Sequence, residues 1–280
     1  MNRELKPFSD LKQILGFQQL SIIMQVFPIK VERKICKFDL YRAIVKSGFS
    51  FSNDDIIVIS SKFVSISEGS TLRLSDVKPT NRSLILAKRF QMDSRIANIV
   101  LREADIIFGG IPGFLLTIKD GMIAPNAGID KSNAPPGHII LYPKDSFKSA
   151  SRLRKKFLSF LGLRLGVIIS DSRLMPTRIG TTGIAIGVSG IEPVEDLRGH
   201  LDLFGKKLKV TMKAVADDLA TVGVFMMGEG NESVPIVVIR GARVKFTSRK
   251  LSYRDLTINI RNDIYLRFDQ QRIQDHFSYR

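Results

Sequence analysis

The segment Met227-Gly228-Glu229-Gly230-Asn231-Glu232-Ser233 constrains this chain more than any other. It separates a run with helical spacing, Lys209 to about Met226, from the β-branched run Val234-Pro235-Ile236-Val237-Val238-Ile239. Val215, Leu219 and Val222 fall on one face of the first run, which reads as core. Glycines on both sides of Glu229 fit neither periodicity, so the chain turns here. A helix-to-strand junction on a rigid scaffold is a usual position for functional side chains.

Two other acidic turns match it in style. Asn126-Ala127-Gly128-Ile129-Asp130 follows an expected strand, and Val167-Ile168-Ile169-Ser170-Asp171-Ser172 ends one. Asp130, Asp171 and Glu229 therefore stand at element ends beside glycine or hydroxyl residues. Carboxylates are ionised at neutral pH, with reference pKa values of about 4, and three gathered at one point repel unless a cation sits between them. Such oxygen ligands suit Mg²⁺ or Mn²⁺, which take one or two carboxylates plus phosphate oxygens. Glycines beside Glu229 would let backbone N–H groups approach phosphate closely. Lys62 and Arg178 are candidates to neutralise phosphate charge, or equally solvated surface cations. Asp, Asn and Gly favour turns anyway, so residue type alone leaves ordinary turns as the alternative.

Elsewhere the pattern is irregular. Strands are expected at Val26-Phe27-Pro28-Ile29, Asp55 to Ser61, Gly166 to Ser170 and Gly183 to Val188, with a hairpin at Phe114–Lys119 turned by Asp120-Gly121. A short helix is expected over Asp39–Lys46, stopped near Gly48. A helical zone from about Asn81 to Glu103 breaks at Met92-Asp93-Ser94, and a basic helix capped by Asp145-Ser146 runs to about Phe160. A loop holding Arg173, Pro176 and Arg178 lies between two of the strands. The order implies an α+β fold of mixed sheets with flanking helices.

Composition narrows the function. The 280 residues are 44% hydrophobic and 25% charged, which is globular and long enough for a full core. No apolar run reaches the ~18 residues of a membrane span, and the N-terminus lacks the pattern of a signal peptide, so a cytoplasmic protein away from membranes is expected. Cys36 is the sole cysteine, and His138, His200 and His276 are scattered, which removes disulfides, thiolate zinc clusters and an evident nucleophilic triad. The net charge of +16 favours polyanionic partners: a nucleotide, a carboxylate-rich substrate or nucleic acid. Ten basic residues against four acidic ones lie between Arg240 and Arg280. A basic tail of this kind is most often solvated surface.

Several motifs together resemble the coenzyme F-420-0:γ-glutamyl ligases. They are Asn-Ala-Gly-Ile-Asp-x-Ser-Asn at 126–133, Ile-Ile-Ser-Asp-Ser at 168–172, Gly-x-Ala-Ile-Gly at 183–187, Asp202-Leu203-Phe204-Gly205, Ala214-Val215-Ala216-Asp217-Asp218, Met-Gly-Glu-Gly at 227–230 and Pro-x-Val-Val-x-Arg-Gly at 235–241. The resemblance runs from about Val26 to Gly241 in the family's order and spacing. It implies a catalytic domain over 26–241, an N-terminal extension over 1–25, a basic C-terminal extension over 242–280, and an F-420 ligase-like fold in an intertwined homodimer.

It also implies a GTP-dependent ligase that joins L-glutamate to the lactyl-phosphate carboxylate of a deazaflavin coenzyme precursor through an acyl phosphate. Asp130, Asp171, Ser172 and Glu229 would hold two divalent ions, Mg²⁺ or Mn²⁺, with K⁺ as an additional candidate. Ser61, Lys62, Asn133 and the run Met227, Gly228, Glu229, Gly230, Asn231, Glu232, Ser233 and Val234 would contact GTP. No protein nucleophile is needed, and Arg178 would stabilise charge. The chain departs from the family pattern at Glu32-Arg33-Lys34-Ile35, where a Leu-Pro-Leu-Ile-like nucleotide contact is usual, at Ile66 in place of a lysine, and at Met175 in place of an arginine. These departures motivate a diverged ligase for another acid and amine. A non-catalytic basic nucleic-acid-binding protein is the reading from a different class.

Overall fold

The structure, a computed structural model, describes residues 23–266. The chain opens with strand β1 (Gln25–Ile29) and helix α1 (Leu40–Val45), whose N-terminus Asp39 caps by accepting from the Arg42 N–H. The expected strand at Asp55 to Ser61 is β2 (Ile56–Ser60). It passes directly into helix α2 (Ser61–Glu68), which ends on the left-handed Gly69. Strand β3 (Thr71–Arg73) precedes the helical zone, which divides where expected into α3 (Asn81–Arg89) and α4 (Ser94–Glu103). Gln91 is left-handed at the break and Asp93 caps α4. The hairpin is part of a three-stranded antiparallel meander, β4 (Ile106–Ile111), β5 (Phe114–Lys119) and β6 (Met122–Ile123). Strand β7 (His138–Ile140) pairs with β3, and α5 (Ser146–Leu161) is the expected basic helix with Asp145 as its cap.

Two expectations need correcting. Strand β8 (Gly166–Leu174) continues past Ser170, pairing Arg173 with Thr182 of β9 (Thr181–Ser189), so Arg173 is a strand residue. The helix expected from Lys209 begins only at Val215, as α6 (Val215–Met227). Residues 209–213 instead form the return limb of a hairpin in which β10 (Glu195–Asp196) pairs with β11 (Met212–Lys213). The Thr211 carbonyl accepts from Leu197 N–H at 3.1 Å, a cross-strand bond that helical spacing could not anticipate.

The central sheet has the order β1-β12-β2-β8-β9, where β12 is Ile236–Arg240. Only β2 and β8 run parallel. Alternation along β2 explains its β-branched run: Ile57 and Ile59 pack with Ala150, Leu153 and Phe157 of α5, while Ile56 and Val58 pack with Val215, Leu219 and Ala220 of α6. The sheet is thus covered on both faces.

The Gly-x-Ala-Ile-Gly motif sits where both helices press closest. A Cβ at Gly183 would stand 2.4 Å from the Ala220 carbonyl oxygen, and one at Gly187 would stand 2.6 Å from Ser146 of α5. The register with β8 slips between Ile169 and Ser170, placing the two glycines against opposite helices although they are four residues apart. Asp217 accepts from the Ala185 N–H beside this irregularity, at 2.8 Å. The C-terminal segment folds back on the domain. Glu192 N–H donates to the Lys245 carbonyl, Arg249 bridges Glu192 and Asp255, and Leu251 joins the core on the α6 side.

Candidate functional site

β2 ends at Ser60 beside Ser170 of the parallel β8, which runs on to Leu174, and β12 begins at the same end because it runs antiparallel to β2. Ligand sites in α/β sheets gather beyond the carboxyl ends of such strands. Here a cavity of about 600 Å³ is walled by Asp171 and Ser172 from the part of β8 that runs on beyond β2, Lys62 from the start of α2, Asn133, and the continuous run Met227 to Val234. Val31 to Lys34 and Ile66 are also part of the wall.

Each acidic residue is held differently. Asp171 accepts from the Ser61 hydroxyl at Oδ1 (2.8 Å) and from the Tyr142 hydroxyl at Oδ2 (2.5 Å). Burial raises its pKa, and these two neutral donors offset that only in part. Asp130 is bonded to the Lys62 ammonium at 2.8 Å, and Lys62 also donates to the Ser132 hydroxyl at 2.7 Å. Burial pushes the Asp130 carboxyl up, but Lys62 and the Ser132 N–H outweigh it and leave the pKa lowered. Glu229 accepts from Thr181 at 3.1 Å and from Ser172 at 3.4 Å, linking the acidic loop to β8 and β9.

The loop itself is tightly folded. Gly230 N–H donates to Glu232 at 2.9 Å, and a Cβ at left-handed Gly228 would stand 2.4 Å from the Glu232 carboxylate. Asn133 donates to the Gly230 carbonyl at 3.2 Å across 97 residues of sequence. Val31 N–H donates to the Ser233 carbonyl at 3.0 Å, so the segment after β1 is fastened to the loop.

The structure therefore brings Lys62, Asn133, Asp171, Ser172, Glu229 and the rest of Met227–Val234 to one cavity, with Ser61 behind Asp171 and Asp130 joined through Lys62. Arg178 stands apart, exposed on the turn between β8 and β9 and off the cavity wall. Tyr142 and Thr181 were not anticipated. Thr181 carries no sequence signal, whereas Tyr142 left an indirect one in Gly128, a motif glycine whose missing side chain makes room for its ring.

The donor set is all hard oxygen: carboxylates of Asp171, Glu229 and Asp130 and the Ser172 hydroxyl. Asp171 in particular is a desolvated carboxylate bonded only to neutral hydroxyls, a site that a cation would relieve. Among the described residues no three acidic, histidine or cysteine side chains stand close enough to form a protein cage. The three carboxylates expected to gather at one point therefore do not meet as a set: Asp171 and Glu229 line the cavity, whereas Asp130 is paired with Lys62 off its wall.

A family model described as F420-0:Gamma-glutamyl ligase matches residues 32–241, which contain every wall of the cavity except Val31. The chain belongs to the F420-0:gamma-glutamyl ligase family. Among its relatives in this family is the coenzyme F420:L-glutamate ligase of Methanocaldococcus jannaschii, 38% identical over 249 residues, covering 85% of this chain and 99% of the relative. Proteins of the same name from Methanopyrus kandleri and Archaeoglobus fulgidus are each 36% identical over 221 residues. They span 79% of this chain and 88% and 89% of their own lengths. As a member of the gamma-glutamyl ligase family the chain is an enzyme of the acid–amino-acid ligase type. No helix among the described residues is long and apolar enough to cross a membrane.

Proposed function

We propose that this chain joins L-glutamate to the lactyl-phosphate carboxylate of a deazaflavin coenzyme, F-420-0, at the expense of GTP and through an acyl phosphate. The observation that carries the reading is the meeting of Asp171, Ser172 and Asn133 with the Gly228–Ser233 loop in one cavity, with Asn133 bonded to Gly230 across 97 residues. The carboxylate of the acceptor has a poor leaving group. Transfer of the γ-phosphoryl group to it creates one that departs as phosphate when the glutamate amine attacks. Lys62, Asn133 and the N–H groups of the glycine-bracketed loop would hold and orient the nucleotide. Asp130, Asp171, Ser172 and Glu229 would hold two divalent ions, Mg²⁺ or Mn²⁺. When bound, such ions neutralise phosphate charge. Arg178 lies on a turn beside β8 and β9 and would need that turn to fold inward to meet developing charge.

A homodimer belongs to the same proposal. The hairpin from Glu195 to Lys213 carries exposed Leu201, Leu203 and Phe204 toward its tip, an apolar set suited to a second copy of the chain.

The test is release of GDP and phosphate that requires both L-glutamate and the coenzyme precursor. Turnover with GTP and both substrates is the expected result. GTP consumption indifferent to glutamate would sink the reading. A second reading, ligation of another acid and amine, draws on Arg33, Lys34 and Ile66 in the cavity wall where the family pattern differs. Strong turnover of an unrelated acid with ATP, exceeding that of F-420-0 with GTP, would favour it. Membership in a ligase family leaves the non-catalytic nucleic-acid reading without support.

A further inference from the structure

Tyr142 belongs to none of the motifs above, yet it makes the shortest polar contact to Asp171. Its hydroxyl donates to Oδ2 at 2.5 Å while Ser61 donates to Oδ1 at 2.8 Å. Each carboxylate oxygen keeps a second lone pair, so one donor on each side fixes the group without using up its capacity as a ligand.

The ring that delivers this hydroxyl is itself seated by the Asn126–Asp130 loop. A Cβ on Gly128 would lie 2.3 Å from the ring carbon Cζ and 2.4 and 2.6 Å from its Cε neighbours, so only glycine leaves room for the ring. Asn126, Ala127 and Gly128 are left-handed in succession, with φ of 51°, 56° and 71°. The Asn126 side chain anchors this unusual turn by accepting from Leu115 N–H at 2.9 Å. Two residues further on, Asp130 exchanges both backbone bonds with Ile140, at 3.0 and 2.8 Å, and Ile140 is two residues before Tyr142. One loop therefore sets both Asp130 and the tyrosine that reaches Asp171.

We infer that Tyr142 is a positioning residue, whose hydroxyl, seated on Gly128, fixes the Asp171 carboxylate in the orientation that binds a divalent cation. The inference rests on the cation role proposed above for Asp171. Removing a hydrogen-bond partner of a ligating side chain typically weakens metal affinity about 10- to 100-fold.

The experiment counts Mn²⁺ bound to the full chain by electron paramagnetic resonance, alongside thermal melts, for the parent, Tyr142→Phe, Asp171→Asn and the double variant. Phenylalanine keeps the ring on Gly128, so the fold should survive with a melting point within a few degrees of the parent. Mn²⁺ affinity is expected to fall about 10- to 100-fold in Tyr142→Phe. The double variant should bind no more weakly than Asp171→Asn alone, because the tyrosine acts through that carboxylate. Parent-like affinity in Tyr142→Phe, or a loss that simply adds to that of Asp171→Asn, overturns the inference while leaving the cation role standing. A parent chain that binds no Mn²⁺ overturns both.

Discussion

The Arg240 guanidinium closes on the Asp55 carboxylate through two parallel hydrogen bonds, Nε to Oδ1 at 2.7 Å and Nη2 to Oδ2 at 2.8 Å. Asp55 is fully buried at the foot of β2, and Arg240 ends β12 beside it. Arg240 also stacks over Phe27 and Phe49 and donates to the Ser50 carbonyl. This pair lies at the end of the sheet away from the cavity, so an arginine that belongs to a family motif serves stability. Arg240→Ala would strand a buried carboxylate and should cost about 3–5 kcal/mol. Urea unfolding measures it, and Arg240→Lys should recover only part of the loss because an ammonium cannot make the paired fork. A loss below about 1 kcal/mol, or equal rescue by lysine, would contradict this account of the pair.

Asp171→Asn should separate site from fold. The amide keeps the shape and can still accept from Tyr142, yet it removes the negative charge that a cation needs. Turnover should fall by about two orders of magnitude or more while the melting point holds or rises, since a desolvated carboxylate has been replaced by a neutral group. Steady-state kinetics beside calorimetry would decide, and near-normal turnover would remove Asp171 from the chemistry.

What the sequence reveals and hides follows from the range of each interaction. Strands β2 and β12 are legible because burial on both faces leaves runs such as Ile56–Ile59 and Ile236–Ile239 without polar residues. The cap at Asp145 is legible because it acts within three residues of itself; Asp39 and Asp93, read only as a helix start and a break, prove to cap in the same local way. The acidic loop is legible as a junction because glycine interrupts both periods. The outer part of β8 and the hairpin limb at 209–213 are not, since their pairing is set by partners seven or more residues away and their side chains carry no apolar pattern. In the site, motif resemblance leads to Asp130, Asp171 and Glu229, but Tyr142 is reached only through three dimensions. Its partner is 29 residues away, and nothing local distinguishes it from the other tyrosines.

Acid should expose the cap at Asp93. The Arg95 guanidinium bonded to this carboxylate holds its pKa at about 2, against an ordinary value of 3.8. A depressed folded-state pKa contributes stability that is complete above the unfolded value and drains as pH falls through the folded one. Part of the parent's loss of stability between about pH 4 and pH 2 should therefore belong to this group. Asp93→Asn keeps a capping oxygen but does not ionise, so its urea midpoint should fall less steeply over that window. Identical slopes in parent and variant would show that the Asp93–Arg95 pair contributes nothing to acid sensitivity.

The hairpin arm gives the proposed homodimer a direct test. Its limbs are bonded to one another along their length, from Leu197 N–H on the Thr211 carbonyl to Leu208 N–H on the His200 carbonyl. At the tip Asp202 accepts from the N–H groups of Phe204 and Lys206, at 2.9 and 2.8 Å, and left-handed Gly205 completes the turn. So rigid a tip nevertheless leaves Leu203 and Phe204 99% and 88% exposed. Each such side chain is worth roughly 1.5–3 kcal/mol when fully covered, so a dimer that seats two copies of both gains substantially from four residues. Leu203→Ser with Phe204→Ser should therefore shift the chain from dimer to monomer at micromolar concentration in sedimentation equilibrium, with the melting point of the monomer little changed because neither side chain contributes to the core. A parent chain that sediments as a monomer, or a double variant that stays fully dimeric, would assign the arm some other role.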